Sequence, residues 1–196
     1  MKRIIDFLFS LLGLIILIVP FAIIALLIKI KMPGPIFFIQ FRVGKEGKLF
    51  KLFKFRTMTV VSGKTGGSFD AGDSSRITPL GRMLRKTKMD ELPQLINVLI
   101  GDMSIVGPRP EVQQWTQIYP DQWKIVHSIR PGITDNSSIM FRNEEEILAN
   151  SQDPKLTYKE DILPIKLKMY IDYVHNHSIM LDTKIILTTI KEIIIK

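Results

Sequence analysis

Two adjacent acids, Asp90 and Glu91, open the stretch KMDELPQLINVLIGDMSIVGPRP at 88–110, in a chain with 27 Lys and Arg against 19 Asp and Glu. Two kinds of chemistry suit such a pair at the head of an apolar segment. In the first, Asp90 is a helix N-cap whose carboxylate accepts backbone N–H groups and faces the positive end of the helix dipole. In the second, the pair works on a phosphate, which also prefers a helix N-terminus. One carboxylate can attack phosphorus and form an acyl phosphate. Its neighbour can hold Mg²⁺, a hard cation usually shared with substrate phosphates, which relieves the repulsion between an anionic nucleophile and a diphosphate. Taken alone, the stretch reads first as a cap.

Four basic residues extend the phosphate reading: Lys54 in KLFKFRTM, Arg85 five residues before Asp90, Arg109 in GPRP, and Arg142 after RPGIT. Each alone is an ordinary solvated charge. Together they could neutralise a nucleotide diphosphate and a phospholipid headgroup. The chain has no GxxxxGK[ST] and no GxGxxG, so nucleotide recognition of those kinds is not indicated. With three histidines in all, a Ser-His-Asp grouping is not indicated either. His175 and His177 have no acid or cysteine at ligand spacing and read as surface residues. The absence of cysteine excludes disulfides and thiolate metal sites, and is compatible with a reducing compartment.

A length of 196 residues supports one domain with a full-sized core. The net charge of +8 and pI near 9.7 imply anionic partners: phosphates, nucleic acid or acidic headgroups. The N-terminus is uncharged from Phe7 to Ile28, long enough to reach across a hydrocarbon core. It is too long for a signal-peptide core, and no small-x-small cleavage site follows. Lys2 and Arg3 flank one end and Lys29 and Lys31 the other, so the positive-inside tendency draws both ends to one side. Pro20 favours a kink in the middle. These residues leave two readings open, a kinked span and a re-entrant hairpin.

Residues 1–31 thus form the membrane segment, and 32–196 one cytosolic domain without internal repeats. Pro33-Gly34-Pro35 breaks the first helix. Two apolar runs around Gly44–Gly47 read as a hairpin, and 62–75 as a solvated loop. Thr78-Pro79 is a helix start. A second helix is expected over 91–100, with Pro93 in its first turn and Gly101 as its stop. Two more are expected around 158–175 and 179–194, the latter starting near Ser178. The closing TTIKEIIIK suits a membrane surface, a core contact or a homodimer contact equally.

In order along the whole chain, the N-terminal apolar helix with Pro20, PGPIFFIQFRVGKEGKLFKLFKFRTM, LGRMLRKTKMDELPQLINVLIGDMSIVGPRP, RPGIT and YIDYVHNHSIMLDTKIILTTI resemble one family. The chain is similar to the bacterial sugar transferases, the monotopic polyprenyl-phosphate phosphoglycosyl transferases. The DELPQL and GDMS-x-VGPRP blocks are the specific part of the likeness. The resemblance implies a helix-rich α/β fold: a small catalytic core with a short β-hairpin, interfacial amphipathic helices and a re-entrant membrane helix kinked at Pro20. It implies transfer of a sugar-1-phosphate from a UDP-sugar to undecaprenyl phosphate with release of UMP, an early step toward capsule, O-antigen or protein glycan. Asp90 would be the nucleophile, forming a phosphosugar-aspartate. Glu91 would be associated with Mg²⁺; Lys54, Arg85 and Arg142 match basic positions of the family and, with Arg109 from the residue reading above, are expected to bind phosphate. The implied partners are the two substrates and inner-membrane lipid on its cytoplasmic face, with no nucleic acid.

The chain departs from the family pattern at two places. Members often carry Ser-Pro at the kink, where this chain has Val19-Pro20. Many continue RPGIT with GLAQVNGR, where this chain reads DNSSIMFRNEEEIL, the segment expected to touch sugar or nucleotide. In that segment Glu144–Glu146 reads as a solvated helix start. Two other classes remain: a membrane-anchored basic module for nucleic acid or acidic lipid, and a lipid-phosphate kinase or nucleotidyltransferase. Neither explains an Asp-Glu pair ahead of a proline-bearing helix as well.

Overall fold

The computed structural model describes residues 1–60 and 76–195; the loop expected over 62–75 lies outside the described residues. The fold is helix-rich with a small α/β core of two two-stranded sheets. The chain begins with α1 (Lys2–Ile16) and α2 (Ile18–Lys31), bent by 61° about Leu17. Neither is long and apolar enough to cross a membrane alone, although the pair passes that test together. The break falls before Pro20, which sits in the first turn of α2. There its missing N–H costs little, and its ring avoids a carbonyl one turn back.

Burial in α1 is inverted. Asp6 and Ser10 are its buried residues, while Leu8, Phe9, Leu12, Ile15 and Ile16 are exposed. The stripe Asp6–Ser10–Gly13 recurs at helical spacing and lies against α4 (Gln94–Ile100), where a Cβ on Gly13 would come within 3.3 Å of Leu95. Both ends of the bent pair are held by the same body. Arg3 donates to the carbonyls of Val98 and Leu99 at the end of α4, and Arg56 donates to those of Met32 and Pro33 just beyond α2.

The expected hairpin is β1 (Phe37–Val43) and β2 (Leu49–Phe55), antiparallel, with Phe38 opposite Lys54. Alternation directs Phe50 and Leu52 into a core with Val98 and Met103. Phe55 joins a second cluster with Ile24, Ile28, Met32 and Leu84, which seats α2 on the domain. Leu84 belongs to α3 (Pro79–Lys86), which starts as its sequence predicts: the Gly81 amide donates to Thr78 Oγ1 at 3.0 Å, with Pro79 next. A Cβ on Gly81 would lie 1.9 Å from the Thr57 carbonyl oxygen, so α3 rests directly on the backbone that follows β2.

Beyond α4, the second sheet pairs β3 (Ser104–Val106) with β4 (Gly132–Thr134) in parallel, linked through α5 (Gln113–Thr116) and α6 (Pro120–Val126). Here the GPRP and RPGIT motifs meet. A Cβ on Gly132 would come within 2.1 Å of the Gly107 amide nitrogen. After β4 come α7 (Asn136–Met140), α8 (Glu144–Ala149) and α9 (Pro154–Thr157), then a π-helical turn over Tyr158–Ile162 leading into α10 (Leu163–Asn176). The wider turn precedes Pro164, whose N–H is missing from the ladder. Helix α11 (Ile179–Ile194) is capped by Ser178, as expected. The largest apolar core gathers Trp115, Trp123, Tyr158, Leu163, Leu167 and Tyr170 under α10.

The Gly107–Gly132 contact leaves no room for a side chain, so Gly132→Ala must push β3 and β4 apart. Overpacking against backbone is expected to cost about 3 kcal/mol. That corresponds to a drop of roughly 6–12 °C in the thermal midpoint of a chain this size. An unchanged midpoint in a melting experiment would contradict the close approach.

Candidate active site

Between α3 and α4 the backbone turns sharply. Lys88 adopts a left-handed conformation (φ 57°), and Met89–Glu91 form a 3₁₀ turn that buries both acids. This overturns the capping reading of Asp90 and the helix start expected at 91. A cap at Asp90 would accept from the amides of residues 92 and 93. The Leu92 amide is already bonded to the Met89 carbonyl at 3.3 Å, and Pro93 has none to give. Helix α4 therefore starts only at Gln94, and Asp90 Oδ1 is buried without a hydrogen-bond partner among the described residues.

Glu91 is the opposite case. Its Oε1 accepts from Lys54 Nζ at 3.0 Å and from Arg109 Nη2, and its Oε2 accepts from Arg109 Nη1 at 3.1 Å. Burial pushes the Glu91 carboxyl up, but Arg109 and Lys54 together hold it well below the usual carboxylate range. Asp90 shifts the other way. Burial and then the neighbouring Glu91 charge raise it, against weaker opposition from Lys54, Lys88 and Arg85. Burial also draws the Lys54 ammonium down, with Glu91 pulling against it. Adjacent carboxylates of one dipeptide are thus pushed apart: one is clamped by cations, the other is desolvated and has no partner at Oδ1 among the described residues.

Each cation is delivered by a different element. Lys54 comes from β2, whose open edge is fastened to α4 by a side chain: Asn97 accepts from the Phe53 amide at 3.1 Å and donates to the Lys51 carbonyl at 2.7 Å. Arg109 comes from the loop after β3. That loop is held by Arg42, which reaches the Pro110 carbonyl at 3.3 Å and Glu111 at 3.2 Å. Glu111 in turn accepts from the buried Tyr158 hydroxyl. Arg85 lies close enough to bias Asp90, and bonds Thr57 Oγ1 at 3.0 Å and Glu145 at 2.6 Å.

Of the six residues singled out from sequence, Asp90, Glu91, Lys54 and Arg109 form one cluster, with Arg85 on its border. Arg142 is drawn elsewhere, pairing with Glu192 of α11 at 2.8 Å. The acidic run 144–146 is only partly the solvated start expected of it, since Glu144 pairs with buried Lys166 and Glu145 with Arg85. Sequence reasoning missed Arg42, Glu111, Asn97 and Asp135, all buried or half-buried. Asp135 caps α7 through the amides of Ser137 and Ser138 and adds to the field on Arg109. A signal for Arg42 did exist: in FFIQFRV the alternation places Gln40 and Arg42 on the inward face, where apolar residues are the rule.

A metal would find two carboxylates here. Among the described residues no three His, Cys, Asp or Glu are grouped as metal ligands. Among these residues Glu91 Oε2 accepts one hydrogen bond and keeps acceptor capacity, and Asp90 Oδ1 accepts none. Such a sparse carboxylate set fits Mg²⁺, which takes one or two carboxylates and completes its shell from water and phosphate.

A family model described as bacterial sugar transferase matches residues 1–196. The chain is 36% identical over 168 residues to a Bacillus subtilis (strain 168) protein named as the uncharacterized sugar transferase EpsL, covering 86% of this chain and 74% of that one. It is 35% identical over 173 residues to the UDP-N-acetylgalactosamine-undecaprenyl-phosphate N-acetylgalactosaminephosphotransferase of Aeromonas hydrophila, covering 87% of this chain and 38% of the other. Against the UDP-glucose:undecaprenyl-phosphate glucose-1-phosphate transferase of Escherichia coli (strain K12) the identity is 35% over 172 residues, 85% of this chain and 34% of that one. The chain therefore spans well under half the length of the last two relatives. With a family match from end to end and the motif residues gathered around one buried acid pair, the chain belongs to the bacterial sugar transferase family.

Proposed function

We propose that this chain transfers a sugar-1-phosphate from a UDP-sugar to undecaprenyl phosphate, releasing UMP and forming undecaprenyl-diphosphate-sugar. Family membership and the activities for which its relatives are named support the reaction class. The observation that carries the assignment of roles is the contrast within the dyad: Glu91 accepts three hydrogen bonds from Lys54 and Arg109, and Asp90 has a buried oxygen with no partner among the described residues.

In the proposed first step an Asp90 carboxylate oxygen attacks the β-phosphorus of the donor. The bond from that phosphorus to the bridging oxygen breaks, and UMP leaves with the electron pair. In the second step a phosphate oxygen of undecaprenyl phosphate attacks the same phosphorus and the Asp90 carboxylate is released. Desolvation keeps Asp90 reactive, because a carboxylate stripped of hydrogen bonds has little ground-state stabilisation to lose. Lys54, which acts on Asp90 directly, and Arg109, on the adjacent Glu91, would serve as donors for the phosphoryl oxygens, already ordered by Glu91. Glu91 would hold Mg²⁺, which when bound supplies positive charge against the donor diphosphate.

The inverted burial of α1, the 61° bend and the attachment of both ends to one body support a re-entrant hairpin for residues 1–31. Its exposed apolar surface would sit in the cytoplasmic leaflet of the inner membrane, where the lipid acceptor resides. The exposed apolar residues Met180, Leu187 and Ile190 of α11 support an interfacial role for that helix as well.

Asp90→Asn should fold at least as well as the wild type, since it removes a desolvated charge beside Glu91 and breaks no bond made by Oδ1. It should lower UMP release by at least about 10³-fold with or without acceptor. Normal turnover by this variant would eliminate Asp90 as the nucleophile. Chelation with EDTA should reduce UMP release by about 100-fold or more, and Mg²⁺ should restore it. Turnover indifferent to EDTA would remove the metal from the scheme.

A further inference from the structure

The polar residues of α1 do more than fix topology. Asp6 is 4% exposed, and its carboxylate accepts from Ser104 Oγ at 2.8 Å and from the Ile105 amide at 3.2 Å. Those groups belong to β3, whose other edge is taken by β4: the Ser104 amide donates to the Pro131 carbonyl and the Gly107 amide to the Thr134 carbonyl. The Ile105 amide faces away from β4 and would be an open sheet edge without Asp6. One turn earlier, Arg3 donates to the Val98 and Leu99 carbonyls, which end α4.

The two contacts fall on the two elements that carry the Glu91–Arg109 ion pair. Glu91 precedes α4 by three residues, and Arg109 follows β3 by three residues. The connection from β3 to Arg109 has little slack. Gly107 is pressed against Arg130–Gly132, with a Cβ 2.7 Å from the Arg130 carbonyl oxygen, and prolines 108 and 110 restrict φ on either side of the arginine. A shift of β3 is therefore passed on to the guanidinium.

We infer that Asp6 is a positioning residue: by completing the open edge of β3 it sets where Arg109 meets Glu91, so that the N-terminal hairpin is part of the catalytic frame and not only an anchor. Its kinetic consequence rests on the function proposed above; its structural consequence does not. The hydrogen bonds matter here, not the charge. An Asp6→Asn side chain can still accept from the Ile105 amide and can donate to Ser104 Oγ, whose own proton can go to the Val106 carbonyl at 2.9 Å.

The test compares full-length wild type, Asp6→Ala, Asp6→Asn and Ser104→Ala in nanodiscs of phosphatidylethanolamine and phosphatidylglycerol. Hydrogen exchange of the 104–111 segment should accelerate about tenfold or more in Asp6→Ala, with 163–176 unchanged. The kcat for UMP release should fall about tenfold or more while the donor KM stays within about threefold. Asp6→Asn should stay within about threefold of wild type in both readouts, and Ser104→Ala, with one bond left, should fall between. The inference is overturned if Asp6→Ala matches wild type, if Asp6→Asn is as impaired as Asp6→Ala, or if exchange rises equally throughout the chain. Should Asp6→Ala not fold, Ser104→Ala decides: unchanged exchange over 104–111 overturns the inference. A wild type that releases no UMP refutes the proposed function, and the exchange comparison still judges the role of Asp6.

Discussion

The carboxylate of Glu91 is where the fold is tied together. A buried anion is costly to desolvate and is tolerated only when its lone pairs are filled by well-placed cations. Here the cations come from β2 and from the loop after β3, at sequence separations of 37 and 18 residues. Both sheets and α4 must therefore be in place before the charge is satisfied. Removing Arg109, which makes two of the three bonds, would leave Glu91 buried with Lys54 alone, and breaking a buried ion pair costs about 3–5 kcal/mol. Asp90, one residue earlier, has no hydrogen-bond partner at Oδ1 among the described residues, and the reactivity proposed for it follows from what Glu91 has already claimed.

A second constraint is that two-stranded sheets have open edges, and small sheets can be stabilised only by covering them. This protein covers them with helix side chains. Asn97 of α4 completes the outer edge of β2 and Asp6 of α1 completes that of β3. Each substitution for a strand also fixes a helix against the sheet that carries a charged partner of Glu91. The same hydrogen bonds that close the sheets thus bring Lys54 and Arg109 to a common point.

Local signals in the sequence were sufficient for features made by neighbouring residues. Thr78-Pro79 and Ser178 start helices where they should, Gly101 ends α4, and the runs flanking Gly44–Gly47 pair as a hairpin. The Asp90 cap failed for an equally local reason, since Pro93 has no amide to offer and a 3₁₀ turn consumes that of Leu92. The bend settles at Leu17 because a continuous helix would press the Pro20 ring against the Ile16 carbonyl, and a break there leaves proline in a first turn. What could not be read were bonds between distant segments. Nothing in the local pattern says that Arg42 supports the Arg109 loop, that Arg142 turns to Glu192, or that an aspartate in an apolar helix serves a strand a hundred residues away.

If Asp90 is the nucleophile, it becomes covalently attached to the phosphosugar during turnover. Intact-protein mass spectrometry after mixing the full chain with Mg²⁺ and UDP-sugar, without lipid acceptor, tests it most directly. The expected result is a species heavier by one phosphosugar, formed with an equivalent of UMP, mapping to Asp90 and discharged by undecaprenyl phosphate. An unchanged mass under conditions where acceptor supports full turnover would mean direct transfer and would contradict it.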